Sequence, residues 1–190
     1  EFLAKNPGGT IPCLEEADSG FSIGEAHAII IYLCRSRGWS DLYPDNAQDQ
    51  ARIDAYLHFH HRNVREASMM VAARVRKDLN FSQEMQANSQ RLFLQAAAIL
   101  DSHYLKSSEF LLGDTLSVAD FAACVEVGQL TSEYTNILDL SEISRLSQWL
   151  ERMKQVPGYA EVHFPLPEIG DIRDEPPSID TLRSANVGGL

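Results

Sequence analysis

The sequence is poor in cysteine, in basic residues and in long apolar runs. Its three cysteines, Cys13, Cys34 and Cys124, are odd in number and widely spaced. They form neither a disulfide framework nor a metal motif. They are expected to be reduced, mostly packed thiols, the usual state in a cytoplasmic protein. No apolar run approaches the roughly 20 residues a membrane span needs, so no membrane partner is expected. From Glu1 onward there is no charged-then-apolar signal segment of the secretory kind. Lys and Arg number 16 against 27 Asp and Glu, a formal charge of −11. That balance argues against nucleic acid and anionic membranes, which attract basic surfaces. There is no internal repeat and no low-complexity tract.

What is present is ordinary globular composition, 190 residues with 44% hydrophobic and 23% charged side chains, and one informative stretch. Asn6-Pro7-Gly8-Gly9 is a turn, since Pro7 presets φ and the glycines allow positive φ. Ile11-Pro12-Cys13-Leu14 then reads as a short strand whose Pro12 cannot donate to a ladder and is a candidate for a cis bond. Ala17-Asp18-Ser19-Gly20 is a second turn and Phe21-Ser22-Ile23 a second strand, so the two pair as a hairpin. Glu25 to about Arg37 has apolar residues at helical spacing, and Gly38 supplies the stop.

The order of turn, Ile11-Pro12, hairpin, Glu25, Ala28-Ile29 and Tyr32-Leu33 resembles the thioredoxin-like domain of cytosolic glutathione transferases. The resemblance implies a cis proline and places a glutathione grip at Thr10, Ile11, Pro12, Glu25 and Ala26. Ile11 would pair through its backbone with the cysteinyl part. Glu25 and the helix N-terminus at Ala26 would hold the γ-glutamyl end. The family has Ser or Thr where this chain has Ala26. Losing that hydroxyl costs about 1.5–3 kcal/mol of binding if it meets a carboxylate. The family's thiol-activating hydroxyl sits in the first strand-to-helix turn. That strand–helix–strand unit is expected to be lacking here, so the catalytic residue is unknown. Ser19 and Ser22 lie in the wrong hairpin.

Beyond Asp41 the pattern becomes helical. After Leu42-Tyr43-Pro44, Asn46 is a candidate N-cap for one long helix from about Ala47 to Leu79, carrying Ile53, Leu57, Val64, Ala67, Val71 and Val75. A second, capped at Asn80 or Ser82, runs to about Lys106 and packs against the first as a hairpin. Ser117 with Asp120 reads as a capping box, with Leu116 and Phe121 at the staple positions. A further helix is expected from Ser141 to about Val156, stopped by Pro157-Gly158, with one more turn at Tyr159 to Val162. Asp41 to Pro44, Arg52 to Leu57, His60-His61, Arg65 and Glu126 resemble the theta class within the family.

The expected fold is α/β plus all-α. A partial thioredoxin-like domain occupies 1–38, an all-α domain 46–164, and a loosely ordered tail 165–190 with a short helix near Ile179 to Arg183. Were the chain the whole protein, its unpaired hairpin edge would leave the first 40 or so residues unstable or partly disordered.

His58 and His61 lie one turn apart, but without a third ligand they read as a satisfied or surface pair, and no metal is expected. On the resemblance, His61, Arg62 and Arg65 border the electrophile pocket, with Arg65 able to hold an anion or a leaving group. A solvated basic face is the alternative. Asp54 is expected to pair with Arg52 or Arg62, or to reach a partner subunit's glutathione. The resemblance implies glutathione as co-substrate with no other cofactor, a small electrophile and a homodimer. The alternative is a non-catalytic interaction module with the same fold.

Overall fold

The computed structural model describes residues 1–76, 78–164 and 166–185. The chain opens with one helical turn, α1 (Phe2–Lys5), that its sequence pattern does not announce. Two short strands follow, β1 (Cys13–Glu15) and β2 (Ser22–Gly24), paired antiparallel with Leu14 opposite Ile23. They form a two-stranded sheet, and the Ile11–Pro12 bond before β1 is cis. Lys5 pairs with Glu15 at 2.7 Å, and the Ser22 hydroxyl donates to the Lys5 carbonyl, so α1 is tied across the hairpin.

α2 (Ala26–Arg37) packs on this hairpin, and its Tyr32 hydroxyl donates to the Glu16 carboxylate. Gly38 ends α2 at φ 68°, which a residue with a Cβ adopts only under strain. Trp39 N–H then returns to the Cys34 carbonyl at 2.8 Å. The linker residue Leu42 accepts a hydrogen bond from Val118 N–H, which fastens the hairpin unit to the helical body.

The expected long helix is two helices. α3 (Ala47–Arg62) is capped by the Asn46 side chain, and α4 (Glu66–Val75) follows after a break. The break has a local cause. Asn63 leaves helical dihedrals at φ −133°, its side chain donates back to the Phe59 carbonyl, and Arg65 N–H reaches past one turn to the His60 carbonyl. Val64 is wholly buried at the break. The apolar rhythm therefore runs on through an interruption of the backbone, which hides it from the sequence pattern.

α5 (Gln83–Ile99) packs against α4 and ends in a π-helical turn, Leu100–Tyr104, closed by Leu105 N–H to the Leu100 carbonyl. α6 (Val118–Gly128) runs through the core, with Val118, Ala119, Ala123 and Val127 buried. α7 (Ser144–Met153) starts three residues later than expected. Asp101, from the π-helical turn, accepts from Arg145 N–H at 2.7 Å and Leu146 N–H at 3.1 Å. It caps α7 from another helix. α8 (Tyr159–Val162) follows the Pro157-Gly158 stop. The largest buried side chains are Trp149, Tyr56, Phe93 and Leu100.

In the described part of the tail, residues 166–185, several side chains are buried. Ile169 of α9 (Leu166–Ile169), Leu182 of α10 (Ile179–Ser184), and Ile172 and Ala185 outside the two helices are buried, and Ile172 N–H donates to the Thr135 carbonyl. Its polar composition conceals four well-spaced apolar anchors. The last residues, 186–190, lie outside the described ones. Among the described residues no helix is long and apolar enough to cross a membrane.

Gly128, at the end of α6, has no room for a side chain. A Cβ there would sit 2.6 Å from the Tyr159 hydroxyl and 2.7 Å from His163 Nε2, both on buried residues. Gly128→Ala is expected to cost about 1–3 kcal/mol, read as a lower urea midpoint at unchanged slope. A midpoint equal to that of the parent protein would contradict this packing.

Candidate functional site

Glu25 marks the centre of the site. It is exposed, precedes the first turn of α2, and holds φ at 69°, a conformation few residues without glycine's freedom adopt. Such outliers concentrate where backbone position serves binding. No sequence signal announces this one, because Glu has no preference for it.

Two clefts flank the start of α2. The first, about 390 Å³, lies between α2, α6 and the α7–α8 turn. Ala26, Ile30, Phe121, Val125 and Val162 make it largely apolar, and Arg65 and Glu126 supply its charge. The second, about 710 Å³, lies between α2 and α3 and carries Glu25, His58, His61, Arg62 and Asp54. The proposed residues are thus divided. Glu25, His61 and Arg62 share the second cleft, while Ala26 and Arg65 face the first. Thr10, Ile11 and Pro12 line neither. They stand exposed beside the hairpin, with Ile11 86% exposed and the Thr10 carbonyl taken by Asn6 Nδ2.

Arg65 is oriented from behind. Its guanidinium lies 3.5 Å from Glu126, a residue only 5% exposed. Glu126 also accepts from Ser68 N–H, the Ser68 hydroxyl and Gln129 Nε2, at 2.7 to 3.0 Å. Burial pushes the Glu126 carboxyl pKa up, against the pull of Ser68 and Arg65. The sequence pattern placed Glu126 on α6 but gave it no partner.

Histidines separate the clefts. His60 is 2% exposed, with Nδ1 3.4 Å from the Tyr56 hydroxyl. Burial first, then the charges of His27, Arg65 and His61, hold its pKa down at about 3. The His27 ring meets it edge-on at 5.0 Å. Burial likewise lowers the His27 pKa. His27 is a site residue that reasoning from sequence missed, because at the head of α2 it carried no motif. Among the described residues, no three His, Cys, Asp or Glu side chains are grouped as a metal ion needs. Asp54 pairs with neither Arg52 nor Arg62. It accepts from the Tyr43 hydroxyl at 3.0 Å, and Arg52 is taken by Asp49. Local i,i+3 spacing wins Arg52 for Asp49.

No protein-family model matches the chain. Over 177 residues it is 30% identical to glutathione S-transferase T3 of Arabidopsis thaliana, covering 86% of this chain and 29% of that protein. It is 27% identical over 154 residues to glutathione S-transferase theta-1 of Gallus gallus, covering 78% of this chain and 58% of the relative. The chain therefore spans less than two thirds of either curated relative. The solved apo structure of human glutathione S-transferase T1-1 matches with a TM-score of 0.74 at 24% identity, over 97% of this chain and 78% of that one. In sequence the chain is similar to theta-class glutathione transferases, and it shares the glutathione transferase fold.

Against the glutathione transferase pattern, one substitution stands out. Ala26 is exposed at the first turn of α2, where it offers a backbone N–H but no hydroxyl. The cysteines do not compensate with chemistry of their own. Cys34 and Cys124 are buried, and burial pushes both thiols up, Cys124 to about 12. A thiol held so high is not a nucleophile at neutral pH. Cys13 is half-buried within β1.

Proposed function

We propose that this chain belongs to a cytoplasmic, homodimeric enzyme that joins the glutathione thiolate to small electrophiles. The supporting observation is Glu25 at the head of α2, beside a cleft that also bears His61 and Arg62. That set matches the γ-glutamyl end of glutathione, with an ammonium for Glu25 and a carboxylate for the free N–H groups of α2. Local cations oppose the overall charge of −11, which would otherwise repel an anionic tripeptide. The first cleft, apolar with Arg65 at its edge, suits the electrophile. Glutathione is the only co-substrate required.

The activating hydroxyl belongs, on this proposal, to a strand–helix–strand unit outside residues 1–190. Ser19 and Ser22 are engaged within the hairpin, donating to Glu16 and to the Lys5 carbonyl. Titration calorimetry with reduced glutathione tests the reading. Saturable binding is expected, weakened about tenfold or more by Glu25→Gln, since a charge-assisted hydrogen bond is worth roughly 1.5–3 kcal/mol. Absence of binding at millimolar glutathione would overturn it.

Ala26 favours a second reading, a non-catalytic interaction module. A protein that ignores glutathione and holds a stable heteromeric partner would establish that alternative.

A further inference from the structure

His27 lines both clefts. Its ring stands at the head of α2 as the wall between the apolar cleft of Ile30 and Phe121 and the polar cleft of Glu25 and His61. The wall is lightly held. Among the described residues its one ring–ring contact is the edge of the His60 ring at 5.0 Å, and its ring nitrogens make no hydrogen bond. We propose that His27 is a pH-operated partition: as neutral imidazole it stays against His60 and separates the clefts, and as imidazolium it swings toward Glu25 and joins them.

The surrounding charges give the direction. From α3, His58, His60 and His61 face it, and from the α3–α4 break comes Arg65. His61, Arg65 and His58 disfavour a further positive charge in the closed position, while His60 stays neutral. Glu126 of α6 is spent on Arg65. Glu25, two residues before it, is the carboxylate that attracts an imidazolium. Farther along the second cleft, Arg35 and Arg62 oppose Asp54. The free N–H groups of the first turn of α2 add a positive potential of their own.

Burial lowers the His27 pKa in the closed position, and the charges of His61 and Arg65 add to it. In the open position the ring is hydrated and returns toward the ordinary value of about 6.5. The closed state therefore binds fewer protons, and it is favoured above about pH 6.5. Its advantage shrinks as pH falls from there and is lost below the depressed pKa. Joining the clefts would give a bound apolar molecule access to the charged groups around Glu25. An imidazolium at Glu25 would compete with the ammonium that the proposed function places there, so the test is made without glutathione.

An anilinonaphthalene sulfonate probe, with an apolar body and an anionic head, reports the joined volume. Its dissociation constant is expected to fall at least about threefold between about pH 7.5 and pH 5.5, as a minor open population becomes a major one. Near-UV circular dichroism should stay constant over that range, which separates opening from loss of packing. His27→Phe should abolish the pH response of the probe's affinity. In the unmodified protein, the His27 ring resonances should titrate with a midpoint below 6.5. An unchanged pH response in His27→Phe would overturn the proposal. So would a His27 midpoint at or above 6.5, a measurement that needs no variant to fold.

Discussion

Asp120→Ala is expected to remove about 3–5 kcal/mol of folding stability. Asp120 has no solvent exposure. Its Oδ1 accepts from Leu111 N–H and Trp149 Nε1, both at 2.9 Å, and its Oδ2 accepts from Ser117 N–H and the Ser117 hydroxyl, both at 3.1 Å. One carboxylate thereby joins the loop before α6, the α6 N-terminus and the central tryptophan of α7. Burial pushes its pKa up against the pull of these four donors. Truncation leaves three N–H groups buried without an acceptor, each worth about 1–3 kcal/mol, with some relief from entering water. Ser117→Ala is the internal contrast. It removes the hydroxyl that accepts from Ala119 N–H, an ordinary cap, and should cost only about 1 kcal/mol. Urea unfolding of both variants decides the matter. A loss below about 1 kcal/mol for Asp120→Ala would show that the three donors find other partners easily. Since small proteins hold only about 5–15 kcal/mol in total, the expected loss should also appear as reduced soluble yield.

The capping box was legible because both members lie within one turn, so sequence spacing alone brings them together. The rest of the Asp120 cluster was not, since Leu111 and Trp149 arrive from separate elements. The same division holds throughout. The hairpin, α2 with its Gly38 stop and the Asn46 cap all follow from neighbours in sequence, and the structure has them. The break between α3 and α4 escaped because Val64 keeps the apolar rhythm while Asn63 bends the backbone. The start of α7 escaped because its cap, Asp101, comes from another helix. In the site, Glu25 and the basic face of α3 were readable as residue types. The partition of Arg65 from His61 was not. It depends on which way α3 ends, and on Glu126 reaching Arg65 from α6.

Ala26→Ser should tighten glutathione binding by roughly tenfold, about 1.4 kcal/mol. Ala26 is the first residue of α2 and is exposed, so a hydroxyl added to its Cβ displaces nothing. The N–H groups of that first turn have no partner within the helix, and a carboxylate bound there gains one further aimed donor. The gain stays at the lower end for a charge-assisted hydrogen bond because an exposed hydroxyl must first give up water. Helix propensity changes by only a few tenths of a kcal/mol and does not obscure it. Ala26→Val adds bulk at the same position without a donor and should leave affinity unchanged or weaker. The double variant Ala26→Ser with Glu25→Gln separates the two ends of the γ-glutamyl group. If Glu25 takes the ammonium and residue 26 the carboxylate, both effects should appear together with a measurable coupling, because both hold one moiety in one pose. Calorimetric affinities for the four proteins complete the cycle. Equal affinity for Ala26→Ser and the parent, within twofold, would place the glutathione carboxylate somewhere other than the head of α2.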